Sequence, residues 1–228
     1  MNRSPLHNAF WQALSGSQRH LSQGGDRARR YAAGYSPIAG VADPQSSDLE
    51  DLLPHCAINE RIYCDAWSGP VPAGWALDLD SEMVRMVWAG GNAPSDQPLG
   101  ATRIGPALAE QALALATLTR PGPFGPRTLE LGEYYGHVEG GRLLAMAGER
   151  LQVGSWREVS GICTHPDAQG RGLARRLTAL LLRRQLDRGQ TPFLHVMCSN
   201  TVAREFYQRL GFREDAVTPI RIFHRTGD

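Results

Sequence analysis

The clearest regularity in the chain is an alternation of short apolar runs with amphipathic stretches, from about residue 82 to the C-terminus. Apolar runs of strand length predict strands, and leucines at helical spacing predict helices. The predicted order is strand 83–88, helix 106–118 with proline near its start, strands 134–138, 142–147 and 157–164, helix 173–186, strand 192–198 and helix 200–210. The two strands before 157 form a hairpin around Gly140-Gly141.

Both C-terminal helices carry local signals. In the first, leucines at 173, 177, 180 and 181 form one stripe and the arginines lie largely off it, which predicts packing against a sheet on one side. The second starts at Asn200, a good N-cap, and stops at Gly211. These two residues can be caps alone or can also face a ligand, and both interpretations stay open.

The first 81 residues follow a different pattern. Residues 5–33 are typical of helix broken at Ser15-Gly16 and Gly24-Gly25, and 48–53 of a short helix ended by Pro54. We therefore expect an N-terminal extension over 1–81 and a second domain over 82–228. The extension could be a lid, a degenerate half-domain or the arm of a homodimer.

A glycine turn joins the strand 157–164 to the helix 173–186. It consists of Gln169, Gly170, Arg171, Gly172, Leu173 and Ala174. Such a turn directs several backbone N–H groups to one point in front of the positive end of a helix dipole, which favours a phosphate or diphosphate. Arg171, Arg175 and Arg176 add positive charge, so the sequence predicts a polyphosphate ligand.

Spacing separates three kinds of phosphate site. The chain contains no lysine, which excludes the Walker motif of nucleotide triphosphatases. A dinucleotide fingerprint needs glycine or alanine where Arg175 stands, so a nucleotide oxidoreductase is the weaker alternative. The third pattern is Gln/Arg-x-x-Gly-x-Gly/Ala, and Gln169, Gly172 and Ala174 satisfy it.

A second block follows at the expected separation. Asn200 is followed by alanine at 203, Tyr207 and Gly211-Phe212. Together the two blocks resemble the GNAT superfamily of N-acyltransferases, closely over about residues 156–213. The resemblance implies an α/β (α+β) fold with a mixed, largely antiparallel sheet and helices on both faces, and acetyl-CoA as cosubstrate.

The resemblance also implies site residues. The strands 158–164 and 193–198 are expected to separate and admit the pantetheine arm. The residues expected to bind coenzyme A are Ile162, Cys163, Thr164, Gln169, Gly170, Arg171, Gly172, Leu173, Ala174, Arg175 and Asn200. A backbone N–H near Cys163 or Thr164 is the candidate for stabilising the oxyanion.

Two side chains are catalytic candidates. Tyr207 stands at the family's tyrosine position and is expected to donate a hydrogen bond or proton to the departing sulfur. Glu158 has the spacing of a general base, a role that requires burial to raise its pKa or a bridging water, because an ordinary carboxylate is too weak a base. Glu133 and Glu149 are alternative bases, and His165, before a proline, is typical of a turn.

Composition limits the partners. A net charge of +1 and 21% charged residues provide no field for nucleic acid or an anionic membrane, and no segment is apolar enough to span one. With no signal-type segment either, we expect a cytoplasmic protein. The spacing of the four cysteines indicates free thiols rather than a metal site or a disulfide framework.

The expected function is therefore transfer of an acetyl group from acetyl-CoA to the amine of a small molecule or peptide, by direct attack in a ternary complex. The alternative is a noncatalytic acyl-CoA sensor or regulatory module. Segments 60–80, 90–105 and the proline-rich 119–135 are expected to build the acceptor pocket.

Overall fold

The computed structural model describes residues 4–46, 48–91 and 100–227, and within them eleven strands form one mixed sheet. In chain order the strands are β1 (Ser22–Gly24), β2 (Ala28–Tyr31), β3 (Ile38–Val41), β4 (Arg61–Asp65), β5 (Trp75–Trp88), β6 (Thr102–Arg103), β7 (Tyr134–Glu139), β8 (Arg142–Val153), β9 (Trp156–Thr164), β10 (Thr191–Met197) and β11 (Phe212–Arg225). The helices are α1 (Ala9–Ser15), α2 (Ala109–Thr119), α3 (Leu173–Asp187) and α4 (Thr201–Leu210).

The strand order across the sheet is β1-β2-β3-β4-β11-β5-β10-β9-β8-β7-β6. Every neighbouring pair is antiparallel except β3 with β4 and β9 with β10, which are parallel. Buried side chains of α3 and α4 share one core with one face of the sheet, whereas α1 and α2 pack on cores of the opposite face. The predicted mixed sheet with helices on both faces is confirmed.

The C-terminal elements follow the sequence pattern closely. Helix α3 buries three of the four leucines of the predicted stripe, Leu173, Leu177 and Leu181. Helix α4 is capped by Asn200, whose Oδ1 accepts a hydrogen bond from the Ala203 N–H at 3.1 Å. Gly211 ends α4 with φ +104°, a conformation that favours glycine. The cap predictions for these two residues are confirmed.

The prediction of helix over 5–33 is wrong beyond α1. After a single 3-10 turn at Arg19–Leu21, the chain enters β1 and β2. Arg29 and Arg30 are buried within β2, where Arg30 donates hydrogen bonds to the backbone carbonyls of Tyr31 and His55 and pairs with Glu60. Pairing with the neighbouring strands thus overrides the local pattern that predicted helix over these residues.

Strands β1 to β4, from the first 81 residues, belong to the same sheet as the later strands, and β5 itself runs across positions 81 and 82. The short helix predicted at 48–53 is a 3-10 helix over Asp48–His55. The division of the chain at 81 stays a prediction. No helix in the described ranges is long and apolar enough to cross a membrane.

Candidate active site

A gap between β9 and β10 interrupts the centre of the sheet. These strands pair over only three positions, ending where Glu158 faces Phe193. Beyond that point β9 stays paired with β8, and β10 stays paired with β5, so their facing edges are not paired with each other. The gap expected from the resemblance is therefore present, and it offers backbone hydrogen-bonding groups to a ligand.

A cavity of about 490 Å³ lies at this gap and is lined from both faces of the sheet. Tyr207 and Ala203 approach from α4, whereas Phe10 approaches from α1 on the opposite face. The loop 119–123, within a segment expected to build the acceptor pocket, forms part of the wall, and Tyr63 and Leu79 come from the segment 60–80. Half of the segment 90–105, namely 92–99, lies outside the described residues.

A bulge shapes the β9 edge of the cavity. Met146 pairs with Cys163 and Gly148 with Ser160, so two residues of β9 oppose one of β8. The extra residue allows Gly161 to adopt φ +61°. Glycine tolerates this conformation without strain, and the bulge turns the backbone of 160–162 toward the cavity, which all three residues line.

Glu158 lies at the closed end of the gap, 1% exposed, in a buried ion pair. Both carboxylate oxygens accept hydrogen bonds from Arg150, from Nε at 2.8 Å and from Nη2 at 2.8 Å. Burial by itself would raise the pKa of Glu158, but Arg150 and a hydrogen bond with His195 outweigh it and hold the pKa at about 2. The rise in pKa that a role as direct base would require is therefore absent, because burial comes with a guanidinium partner.

His195 is the residue that the sequence analysis did not single out for catalysis. Its Nδ1 lies 2.8 Å from Oε1 of Glu158, and His195 is among the residues that line the cavity, with 5% of its side chain exposed. The ring packs edge-on against Phe10 and Phe193, with centroids 5.7 and 5.6 Å away. Burial lowers the pKa of His195 below its usual value, although Glu158 partly opposes this shift. At neutral pH the imidazole is therefore neutral and donates its Nδ1 proton to the carboxylate.

Tyr207 projects from α4 into the other side of the cavity. Its ring packs edge-on against Phe212, at 6.1 Å between centroids, and burial raises the pKa of its hydroxyl to about 12. The hydroxyl therefore keeps its proton and can donate a hydrogen bond. Ile162 and Asn200 also line the cavity, and Asn200 caps α4 at the same time.

The glycine turn precedes α3, as predicted, beside the gap rather than in the cavity lining. Gly170 and Gly172 have φ +75° and +71°, and no heavy atom would meet a Cβ at either position within 4 Å. Both glycines thus have left-handed backbone conformations, and the space where a Cβ would stand is free at each of them. Arg171 pairs with Glu139 at 2.5 Å. This open turn, at the start of a 15-residue helix, fits a diphosphate.

Cys163 and Thr164 continue β9 past the bulge, and neither side chain lines the cavity. The Cys163 thiol is buried, and burial raises its pKa to about 11. The side chain of Leu173 is also buried, which leaves only its backbone available to a ligand. The four cysteines are free, as predicted.

The alternative bases lie elsewhere. Glu133 pairs with Arg184 and Arg188 at 2.7 and 2.6 Å, which lowers its pKa to about 2. Glu149 is buried and pairs with Arg157 at 3.1 Å, and neither glutamate lines the cavity. His165 accepts a hydrogen bond from the backbone of Asp167 at 3.2 Å, which confirms its role in a turn. The described residues contain no cluster of three or more His, Cys, Asp or Glu side chains fit to hold a metal ion.

Comparison with known proteins agrees with this geometry. The model of the FR47-like protein family matches residues 134–220, which contain the hairpin, the gap and both C-terminal helices. A crystal structure of a protein assigned to the GNAT family of acetyltransferases, from Novosphingobium aromaticivorans, is 33% identical, with a TM-score of 0.90, and the match covers 99% of this chain and 100% of that one.

The chain belongs to the GNAT family. The expectation of an N-acetyltransferase is thus confirmed at the level of the family. A GCN5-related N-acetyltransferase-like protein from Streptococcus suis shares the fold over 95% of this chain and 92% of its own, with a TM-score of 0.61 and 17% identity. A GCN5-related N-acetyltransferase from Kribbella flavida gives a TM-score of 0.59 at 17% identity, over 98% of this chain and 95% of that one.

A curated relative is similar over a shorter segment. A mycothiol acetyltransferase from Cellulomonas flavigena is 46% identical over 61 residues, which is 26% of this chain and 18% of that protein. Because the match spans less than a fifth of the relative, it bears on the local motif and not on that protein as a whole.

Proposed function

We propose that this GNAT-family chain transfers an acetyl group from acetyl-CoA to an amine by direct attack in a ternary complex. The observation that carries the proposal is the gap between β9 and β10, with one cavity lined by Tyr207 on one face and His195 on the other. A donor and an acceptor that enter from opposite faces would meet at the gap. The local match to a mycothiol acetyltransferase supports acetyl as the group transferred.

The donor binds through backbone groups in this proposal. The diphosphate lies at the open turn that begins at Gln169 and runs through Gly170 and Gly172, where N–H groups and the start of α3 favour an anion. The pantetheine arm follows the β9 edge past Thr164 and Ile162 into the gap. Asn200 faces the arm from the start of α4.

Acyl transfer requires three events, and a backbone N–H and Tyr207 serve two of them. A backbone N–H near Cys163 or Thr164 stabilises the oxyanion, an interaction worth about 3 to 4 kcal/mol where it has been removed. Tyr207 acts on the departing sulfur. With its pKa at about 12, full proton transfer to a thiolate of pKa about 8.5 is uphill by about 5 kcal/mol, so Tyr207 serves as a hydrogen-bond donor. The third event is removal of the amine proton.

The acceptor end of the cavity is apolar. On the α1 face it is lined by Phe10, Tyr63, Leu79, Met83, Ile220 and Ile222. Among the described lining residues there is no carboxylate, and the charged ones are Arg120 and Arg150. A polycation gains nothing from such a lining, so the acceptor is an amine carried on an apolar body, either a small molecule or a peptide N-terminus.

The test is release of free coenzyme A from acetyl-CoA in the presence of an amine panel. The panel contains arylalkylamines, peptides with apolar N-terminal residues, and polyamines such as spermidine. We expect turnover with the first two groups and weak or no turnover with polyamines. Saturable acetyl-CoA binding without turnover on any amine would instead favour the noncatalytic binding module. A cytoplasmic location and a homodimer stay predictions.

A further inference from the structure

The side chains on the α1 face of the gap form a hydrogen-bonded series with no role in the mechanism so far. Arg150 donates to Glu158, and Glu158 accepts from His195, all within 2.8 Å. The backbone N–H of Leu151 donates a further hydrogen bond to the same carboxylate at 3.2 Å. The carboxylate is thus held in one orientation by three different partners.

This arrangement sets the tautomer of His195. Because Glu158 is ionised and accepts hydrogen bonds, the proton of the neutral imidazole resides on Nδ1, which faces the carboxylate. The second nitrogen, Nε2, then carries a lone pair. No hydrogen bond joins Nε2 to another described residue, and His195 is among the residues that line the cavity.

We propose that His195 is the general base of the acyl transfer, with Glu158 as the residue that positions it and fixes its tautomer. This inference rests on the proposed function. It replaces Glu158 as the direct base, because Glu158 is enclosed by Arg150, Leu151 and His195. His195 packs edge-on against Phe10, on the same face as the apolar acceptor end, which places the imidazole next to an amine bound there.

The amine nitrogen forms a bond to the thioester carbonyl carbon and becomes positively charged, which makes its N–H acidic enough for an imidazole to accept the proton. Nε2 takes that proton. The carbon–sulfur bond then breaks with its electron pair on sulfur, next to the Tyr207 hydroxyl. The imidazolium, stabilised by Glu158, afterwards passes its proton to the thiolate or to solvent.

The charged groups around His195 determine its titration. Glu158 on β9 stabilises the imidazolium, whereas Arg150 on β8 and Arg85 on β5 disfavour it. Helix α1 contributes Phe10, which does not titrate. Arg85 is itself paired with Asp215 at 2.6 Å.

The test compares H195N with H224N. Asparagine keeps a donor where Nδ1 stood and so preserves the hydrogen bond to Glu158, but it removes the base. His224 is the matched control, because its Nδ1 also contacts a carboxylate, Asp78 at 2.7 Å, and it lies outside the cavity lining. We expect kcat/KM of H195N to fall about 100-fold or more at pH 7, with unchanged acetyl-CoA affinity, and H224N to match the wild type.

The pH profile separates a base from a structural residue. In the wild type, kcat/KM requires both a neutral amine and a neutral His195, so a second acid limb appears below about pH 6.5. H195N should lose this second limb. E158Q should move it to lower pH, because the imidazolium loses its carboxylate. If E158Q does not fold, because Arg150 is left unpaired, the pH profile of H195N still tests the role of His195 as base.

Nitrogen-15 NMR provides a readout that does not depend on turnover. The His195 resonances of the wild type are assigned by their absence from the spectrum of H195N. At pH 7 they should show the proton on Nδ1. Equal activity of H195N and wild type, or a proton on Nε2, would overturn the role of His195. Absence of turnover in the wild type with every amine would instead count against the proposed function, and the NMR tautomer would still test the Glu158 contact.

Discussion

Gly161 lies directly against the ring of Tyr134, where a Cβ at position 161 would come within 3.0 Å of Cε1 and 3.4 Å of the hydroxyl oxygen. Tyr134 is buried, and its ring also lies over Gly148 on the neighbouring strand, at 2.1 Å from where a Cβ would stand. The ring of Tyr134 therefore packs directly against the β9 bulge at Gly161 and against the neighbouring strand at Gly148.

The variant G161A should lose both stability and acetyl-CoA affinity. Alanine at φ +61° costs roughly 1 to 2 kcal/mol, and the contact with Tyr134 adds to this cost by displacing the bulge. The control is G154A, where φ is +55° but no atom lies within 4 Å of the new Cβ. Urea denaturation and calorimetric titration would measure the two effects. Equal acetyl-CoA affinity in both variants would show that the bulge does not present the donor site.

The Tyr207 hydroxyl gives a second prediction. Y207F should lower kcat by about 10- to 100-fold, the range expected for loss of a hydrogen bond to a charged group, and should leave acetyl-CoA binding nearly unchanged. Y135F is the control, because Tyr135 packs against Arg184 at 5.3 Å from its ring and lies outside the cavity lining. Full activity of Y207F would remove Tyr207 from the mechanism.

The glycine turn gives a third prediction, which isolates the diphosphate. G172A forces alanine to φ +71° at the start of α3 and should weaken acetyl-CoA binding by about tenfold or more. S-acetylpantetheine, which has no diphosphate, should be affected much less. G189A is the matched control for G172A, because Gly189 also has a positive φ, +68°, and free space around it, but lies at the other end of α3. A similar loss for both donors would place the diphosphate elsewhere.

Local signals explain why the C-terminal half could be predicted. The leucine stripe of α3, the cap at Asn200 and the glycine turn each depend on residues close in sequence, and each is present in the fold. The N-terminal half could not be predicted in this way. Strand β2 is held by β1 and β3 and by partners of Arg30 such as Glu60, which lies thirty residues away.

The candidate base could not be predicted from the sequence either, because its contacts also join residues that are distant along the chain. Glu158 was singled out because its spacing from the glycine turn matches a family pattern, but its pKa depends on Arg150 across the β8–β9 hairpin. His195 is a candidate base only because it contacts Glu158, which lies 37 positions earlier in the chain. A pattern along the chain shows neither contact, since both are made by strand pairing.

The last prediction concerns the buried carboxyl of Asp65, which contacts the backbone of the cavity-lining residue Phe10. Asp65 is 2% exposed, and burial raises its pKa to about 7. Its Oδ2 accepts a hydrogen bond from the Phe10 N–H at 3.4 Å, while Oδ1 has no partner among the described residues. Below about pH 4 the group is protonated in both the folded and the unfolded state. As the pH rises toward 7 the unfolded state releases this proton first, so the free energy of unfolding decreases by up to about 4 kcal/mol and then levels off.

The variant D65N cannot ionise and should escape this loss. We expect D65N to be more stable than the wild type at pH 8, with the advantage shrinking steadily as the pH falls from 7 to 4, as measured by urea denaturation. D26N is the control variant, because the Asp26 side chain is 92% exposed. A lower stability of D65N at pH 8 would mean that Asp65 is ionised in the folded protein and stabilises α1 against β4 through its charge.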